Sequence, residues 1–95
     1  MRVTVRSVGL IRQVLGEAEL AVTVPEGTPI SGLLTRLAEE KGEEFAPYAL
    51  EPKESTSYAA LRVVINGRDF LPPQYREVVL KEGDDVLIFT PIAGG

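Results

Sequence analysis

Residues 85–95 read DVLIFTPIAGG, and the chain is organised around that stretch. Asp85 to Thr90 contain neither glycine nor proline. Val86 and Ile88 alternate with Leu87 and Phe89, the period-2 pattern of a β-strand. Pro91 then holds its φ near −65° and removes a backbone donor, and it biases Thr90 toward extended geometry. Ala93, Gly94 and Gly95 carry little or no side chain, so such a tail can enter a channel where anything larger would clash. Two readings of the tail stay open. Frayed ends are common, and at about 7% glycine usage two glycines close a chain by chance roughly once in 200 sequences. In the other reading the free carboxylate of Gly95 is the working group. Delivered into a partner, it would attack the α-phosphate of ATP and become an acyl-adenylate. The uninterrupted run up to Thr90 favours this second reading.

If Val86 and Ile88 face a core, Leu87 and Phe89 point to the other side of the sheet. A Leu/Phe pair left open there is unfavourable unless something covers it. One occupant is a larger protein partner, with Phe89 as aromatic anchor. Ile92 joins that surface, with Pro91 and Ala93 beside it in the tail. The other occupant is the chain's own Glu43–Ala60 segment, folded back over the face.

Outward from this stretch, Lys81-Glu-Gly-Asp84 is turn chemistry. Leu61, Val63 and Ile65 share one face of a strand, and Asn66-Gly67 is a strong tight-turn signal. Leu71-Pro72-Pro73 cannot continue a ladder, and Glu77–Leu80 is expected to form a short edge strand. At the other end, Val3, Val5 and Ser7 alternate with Arg2, Thr4 and Arg6. Gly9 breaks that strand, and Leu10–Leu15 reads as one helical turn or a wide loop closed by Gly16. Leu20, Val22 and Val24 form a second strand that Pro25 ends. Thr28-Pro29 looks like an N-cap and first-position pair. Ile30, Leu33, Leu34, Leu37 and Ala38 then make one helical face, with Lys41 and Gly42 at its end. Glu43–Ala60 has no sustained period. A short helix over Glu44–Leu50 is expected there, anchored by Phe45, Tyr48 and Leu50, followed by a long loop.

These elements predict an α+β domain, a β-grasp roll in which a mixed sheet of four to five strands packs on one main helix. The first and last strands are expected side by side and parallel at its centre, joined through a right-handed crossover. Residues 1–95 form one domain, with a flexible C-terminal Gly-Gly tail over 90–95.

Composition narrows the function. Ninety-five residues leave no room for a second catalytic domain. The net charge of −4 and pI near 4.8 argue against a nucleic-acid partner. The chain has no cysteine and no histidine. It therefore lacks a thiolate nucleophile, the commonest general base and the commonest metal ligands; no metal site is expected. MRVTVRSVGL is no signal peptide, and no apolar run approaches the ~18 residues of a membrane span. A soluble cytoplasmic protein without a membrane partner is the expectation.

Ile65-Asn66-Gly67-Arg68, Lys81-Glu-Gly-Asp-Asp-Val86, Ile88-Phe89 and Pro91-Ile-Ala-Gly-Gly95 resemble the MoaD/ThiS family of ubiquitin-like sulfur carriers. Leu10–Gly16 and Val24-Pro-Glu-Gly-Thr28 look like MoaD in particular. The resemblance covers nearly the whole chain, and the tail is its most specific part. It implies a non-catalytic carrier, the small subunit of the sulfurtransferase molybdopterin synthase. Gly95 would be adenylated by a MoeB-like enzyme at the cost of ATP, then converted to a thiocarboxylate by a sulfur donor. The tail would insert into a MoaE-like large subunit, with Gly94 permitting close backbone approach, and donate sulfur in molybdenum cofactor biosynthesis. The resemblance implies no cofactor bound by this chain. Two departures stand out: Thr90 replaces a proline frequent in MoaD-like tails, and Glu43–Ala60 is long, which disfavours thiazole synthesis. Carriers for thiamin, cysteine or tRNA thiolation, and ubiquitin-like protein modifiers, have similar tails and stay open as alternatives. So does a β-grasp interaction domain whose Gly-Gly is incidental.

Overall fold

The computed structural model describes residues 1–45 and 61–90. Strand β1, Arg2–Ser7, buries Val3, Val5 and Ser7 on one face, as its alternation dictates. Ser7 is buried but satisfied: its Oγ donates to the Glu17 carbonyl at 3.1 Å and its N–H to Ala18 at 3.0 Å. The segment read as a turn or wide loop is helix α1, Gly9–Leu15. Ile11 and Leu15, one turn apart, are its buried residues. Gly16, at φ 83°, ends it and donates to the Arg12 carbonyl. Strand β2, Glu19–Thr23, runs antiparallel to β1 from Arg2↔Thr23 to Arg6↔Glu19.

Helix α2, Ile30–Lys41, buries all five residues of the expected stripe. Its start differs from the expected cap. Thr28 does not cap it; the Thr28 hydroxyl instead donates to the Pro25 carbonyl at 2.6 Å, holding the preceding loop. The first helical N–H groups find acceptors in a distant segment: Ile30 donates to Val78 and Ser31 to Tyr75, at 3.0 and 2.7 Å. Orphan helix donors are thus satisfied by packing rather than by a local side chain. At the other end the Gly42 N–H donates to Ala38, and a single 3₁₀ turn, Gly42–Glu44, leads to a fully buried Phe45. The remainder of the helix expected over Glu44–Leu50 lies outside the described residues.

Strands β3, Arg62–Ile65, and β4, Arg68–Phe70, form a hairpin through Asn66-Gly67. Both turn residues have positive φ, 51° and 86°, the backbone of a type I′ turn. The short strand therefore lies at 68–70, not at Glu77–Leu80. Val79 makes only an isolated bridge to Pro29. That segment is used up serving α2, because Val78 accepts from Ile30 while Leu80 donates to Thr28.

Strand β5, Asp85–Phe89, sits between β1 and β3, parallel to the first and antiparallel to the second. The sheet order is β2-β1-β5-β3-β4. This is the expected α+β β-grasp with first and last strands paired at its centre. The entry to β5 is tied down on both sides. Asp84 is buried and accepts from Asn66 Nδ2 at 2.9 Å and from the Lys81 N–H at 2.7 Å. Asn66 Oδ1 in turn accepts from the Asp85 N–H at 2.9 Å, and Thr4 donates to the Asp84 carbonyl. A buried carboxylate is tolerable when its lone pairs are met in this way. Tyr75 is the other buried polar anchor. Its hydroxyl donates to the Leu61 carbonyl at 2.7 Å, and burial pushes its pKa up to about 12.

Candidate functional site

The buried apolar residues of the sheet join those of α1 and α2 in one core. The opposite face is the candidate site. The strand registers align one residue from each strand in a row across it: Glu19, Arg6, Leu87, Val64 and Asp69. One row nearer the tail, Phe89 of β5 pairs with Arg62 of β3. Leu87, Val64 and Phe89 are half-buried, while Val86 and Ile88 between them are fully buried on the other side. The alternation that places Leu87 and Phe89 on the face opposite the core is thus realised. Val64, their neighbour, was not singled out from sequence. Its signal was present, since Val63 and Ile65 facing inward require Arg62 and Val64 to face outward.

Arginines border this apolar strip on both sides. Arg6 Nε meets Asp85 Oδ1 at 2.8 Å, and its Nη1 meets Glu19 Oε1 at 3.4 Å. The hydrogen bond to Asp85, and the attraction of Asp85 and Glu19, raise the pKa of its guanidinium. Arg62 pairs through Nη2 with Asp69. Its Nε is buried and has no hydrogen-bond partner among the described residues. Among those residues no group of three or more acidic, His or Cys side chains could hold a metal ion, and no helix is long and apolar enough to cross a membrane.

β5 also determines where the tail begins. Thr90 follows directly from Phe89, so the chain leaves the sheet from its middle, beside the apolar strip. Pro91, Ile92, Ala93, Gly94 and Gly95 lie outside the described residues. The alternative in which Glu43–Ala60 covers the face rests on 46–60, which also lie outside them.

The ThiS family model matches residues 5–95. The chain belongs to the ThiS family. These are ubiquitin-like sulfur carriers, and the solved structures agree on the fold. The Haloferax volcanii HVO 2177 protein is 26% identical, with a TM-score of 0.80 over 100% of this chain and 87% of that one. A putative molybdopterin converting factor subunit 1 from Pyrococcus furiosus is 23% identical, with a TM-score of 0.71 over 97% and 99%. A chain in the complex of subunits 1 and 2 of molybdopterin-converting factor from Helicobacter pylori is 21% identical, with a TM-score of 0.60 over the whole of both chains. No curated protein sequence matches.

Proposed function

We propose that this ThiS-family chain is the sulfur-carrying small subunit of a molybdopterin synthase. The observation that carries the reading is the position of β5. A central strand presents Leu87 and Phe89 on the open face and, one residue later, releases the tail from the same place. Docking of that face on a large subunit would aim the tail at the subunit's active site. The likeness to a subunit 1 from Pyrococcus furiosus, and to a chain solved in a complex of subunits 1 and 2, supports that partner.

The Gly95 carboxylate attacks the α-phosphate of ATP within an adenylating enzyme, and pyrophosphate leaves. A donor that delivers sulfur at the sulfide level then displaces AMP at the acyl carbon, which yields the thiocarboxylate. In the large subunit the thiocarboxylate sulfur bonds to a carbon of the pterin precursor and displaces an oxygen leaving group there; water then cleaves the acyl carbon–sulfur bond, which leaves the sulfur on the precursor and restores the Gly95 carboxylate. A tethered thiocarboxylate acts at high effective concentration, and the acid and base groups belong to the pocket the tail enters. This division of labour suits a chain without histidine or cysteine.

Mass spectrometry of the protein from its own source, with fragmentation of the C-terminal peptide, tests the carrier chemistry. The expected result is exchange of one oxygen for sulfur at Gly95. A carboxylate that stays inert with ATP and the adenylating enzyme would sink it. Family membership supports a second reading equally well: a carrier feeding thiamin, cysteine or tRNA thiolation, or a protein modifier. Reconstitution separates the two. A stoichiometric complex with a synthase large subunit supports the first reading, and lysine adducts without that complex support the second.

A further inference from the structure

We propose that Asn66 and Asp84 are positioning residues for the sulfur-transfer step. Together they fix the register of β5, and the register fixes how far the Gly95 carboxylate reaches from the sheet. The inference rests on the carrier reading above for the use of that reach, and adds the residues that set it.

Hydropathy does not specify the register of β5. Val86, Leu87, Ile88 and Phe89 are four large apolar residues in a row. A strand shifted by one residue exchanges its two faces. Shifted toward the tail, β5 would bring Asp85 and Leu87 to the inward positions now held by Val86 and Ile88, and the cost of burying Asp85 opposes that. Drawn back by one residue, it would place Leu87 and Phe89 there instead. Both are apolar, so only their greater bulk opposes the exchange.

The contacts that separate the two registers are polar and lie at the start of the strand. One step beyond the Ile65↔Val86 pair, the Asn66 N–H donates to the Asp85 carbonyl and the Asp85 N–H donates to Asn66 Oδ1, both at 2.9 Å. Asn66 Nδ2 donates to Asp84 Oδ1 at 2.9 Å. One side chain on the β3–β4 turn therefore holds two consecutive residues where β5 begins. Asp84 Oδ2 accepts from the Lys81 N–H at 2.7 Å, while the Asp84 N–H donates to the Lys81 carbonyl at 3.1 Å. These bonds close the turn over 81–84. The slack for drawing β5 back must come from that turn, because Leu80 before it is buried and donates to the Thr28 carbonyl. A one-residue shift takes Asp84 away from Asn66 and leaves a buried carboxylate with fewer donors.

Five residues, 91–95, follow Thr90. Fully extended they span at most about 17 Å. One residue of register moves the strand end by about 3.3 Å, and a misplacement of about 1 Å at reacting atoms can cost about a hundredfold in rate.

The test compares wild type with Asn66→Gly and Asp84→Ala, each with and without one glycine inserted between Ala93 and Gly94. Glycine accepts the positive φ of position 66, so Asn66→Gly removes the side-chain contacts and keeps the turn. Register is read from cross-strand nuclear Overhauser contacts between β3 and β5. Function is read as the single-turnover rate of sulfur transfer from the thiocarboxylate to the pterin precursor, at saturating large subunit. Wild type is expected to show Val63 opposite Ile88, and its lengthened form to transfer more slowly. Both variants are expected to show Val63 opposite Phe89, to transfer about tenfold more slowly, and to regain most of the wild-type rate with the inserted glycine. The wild-type register in both variants, with only the melting temperature lowered, would reduce Asn66 and Asp84 to a brace and overturn the proposal. A shifted register with unchanged transfer, or a slow transfer that the inserted glycine does not restore, would also overturn it. A wild-type thiocarboxylate that transfers no sulfur would remove the carrier reading and the positioning role with it; register, read without any partner, distinguishes that failure from a failure of the latch.

Discussion

Strand β5 shows two different surfaces within five residues. Val86 and Ile88 have no exposure at all, whereas Leu87 and Phe89, their immediate neighbours, are only half-buried. All four are large and apolar, and hydropathy alone does not separate them. Their surroundings do. The inner pair belongs to one continuous core with the buried residues of α1 and α2. The outer pair has Val64 and two arginines beside it; Arg6 is held by Glu19 of β2 and by Asp85 of β5 itself, and Arg62 by Asp69 of β4. The inner surface therefore holds the fold together, and the outer one contributes less to it.

The largest effect is expected on the inner side. Ile88→Ala removes a fully buried side chain from a packed core and should cost about 3–4 kcal/mol. Chemical denaturation measures this, and a loss under 1 kcal/mol would mean the inner face is not the one that stabilises. The next effect is electrostatic. The Tyr75 pKa is raised by burial to about 12, against about 10 in an unfolded chain. Its stabilising contribution is complete below pH 10 and lost as pH rises from 10 to 12, on the order of 2–3 kcal/mol in all. Tyr75→Phe should flatten the denaturation midpoint across that window; an unchanged pH slope would show that Tyr75 is not the group responsible. The smallest stability effect belongs to the outer side. Phe89→Ala should cost about 1 kcal/mol of folding but about tenfold or more in partner affinity. The reverse pattern, a large fall in melting temperature with unchanged affinity, would erase the distinction between the two surfaces.

Much of this was legible in the sequence because long periodic runs leave few choices. The α2 stripe from Ile30 to Ala38, the inward trio Val3, Val5 and Ser7, and the alternation of β5 all hold. Asn66-Gly67 specified its turn through the positive φ that both positions tolerate. The departures occur where local chemistry was outbid by distant contacts. Thr28 looked like a cap, but its hydroxyl serves Pro25 while Val78 and Tyr75 receive the first donors of α2. Glu77–Leu80 has strand-forming residues, yet its backbone partners are those same helix and loop groups. Three-residue β4 is too short to show a period and exists because the I′ turn folds it onto β3. The border of the candidate site was readable in principle. Arg6 and Arg62 occupy outward positions of strands whose inward residues were identified, but only the strand order places them on either side of Leu87 and Phe89.

The parallel pairing of β1 and β5 has a mechanical consequence. Because the two strands point the same way, the start of β1 and the exit of the tail lie at opposite ends of the central ladder. A pull applied to the tail, resisted at the beginning of β1, loads the rungs between them sideways and all together instead of peeling them apart one after another. β5 is also gripped by β3 on its other flank, so the load spreads over two ladders. Tension applied beyond Thr90 is then carried by the domain while the domain keeps its shape.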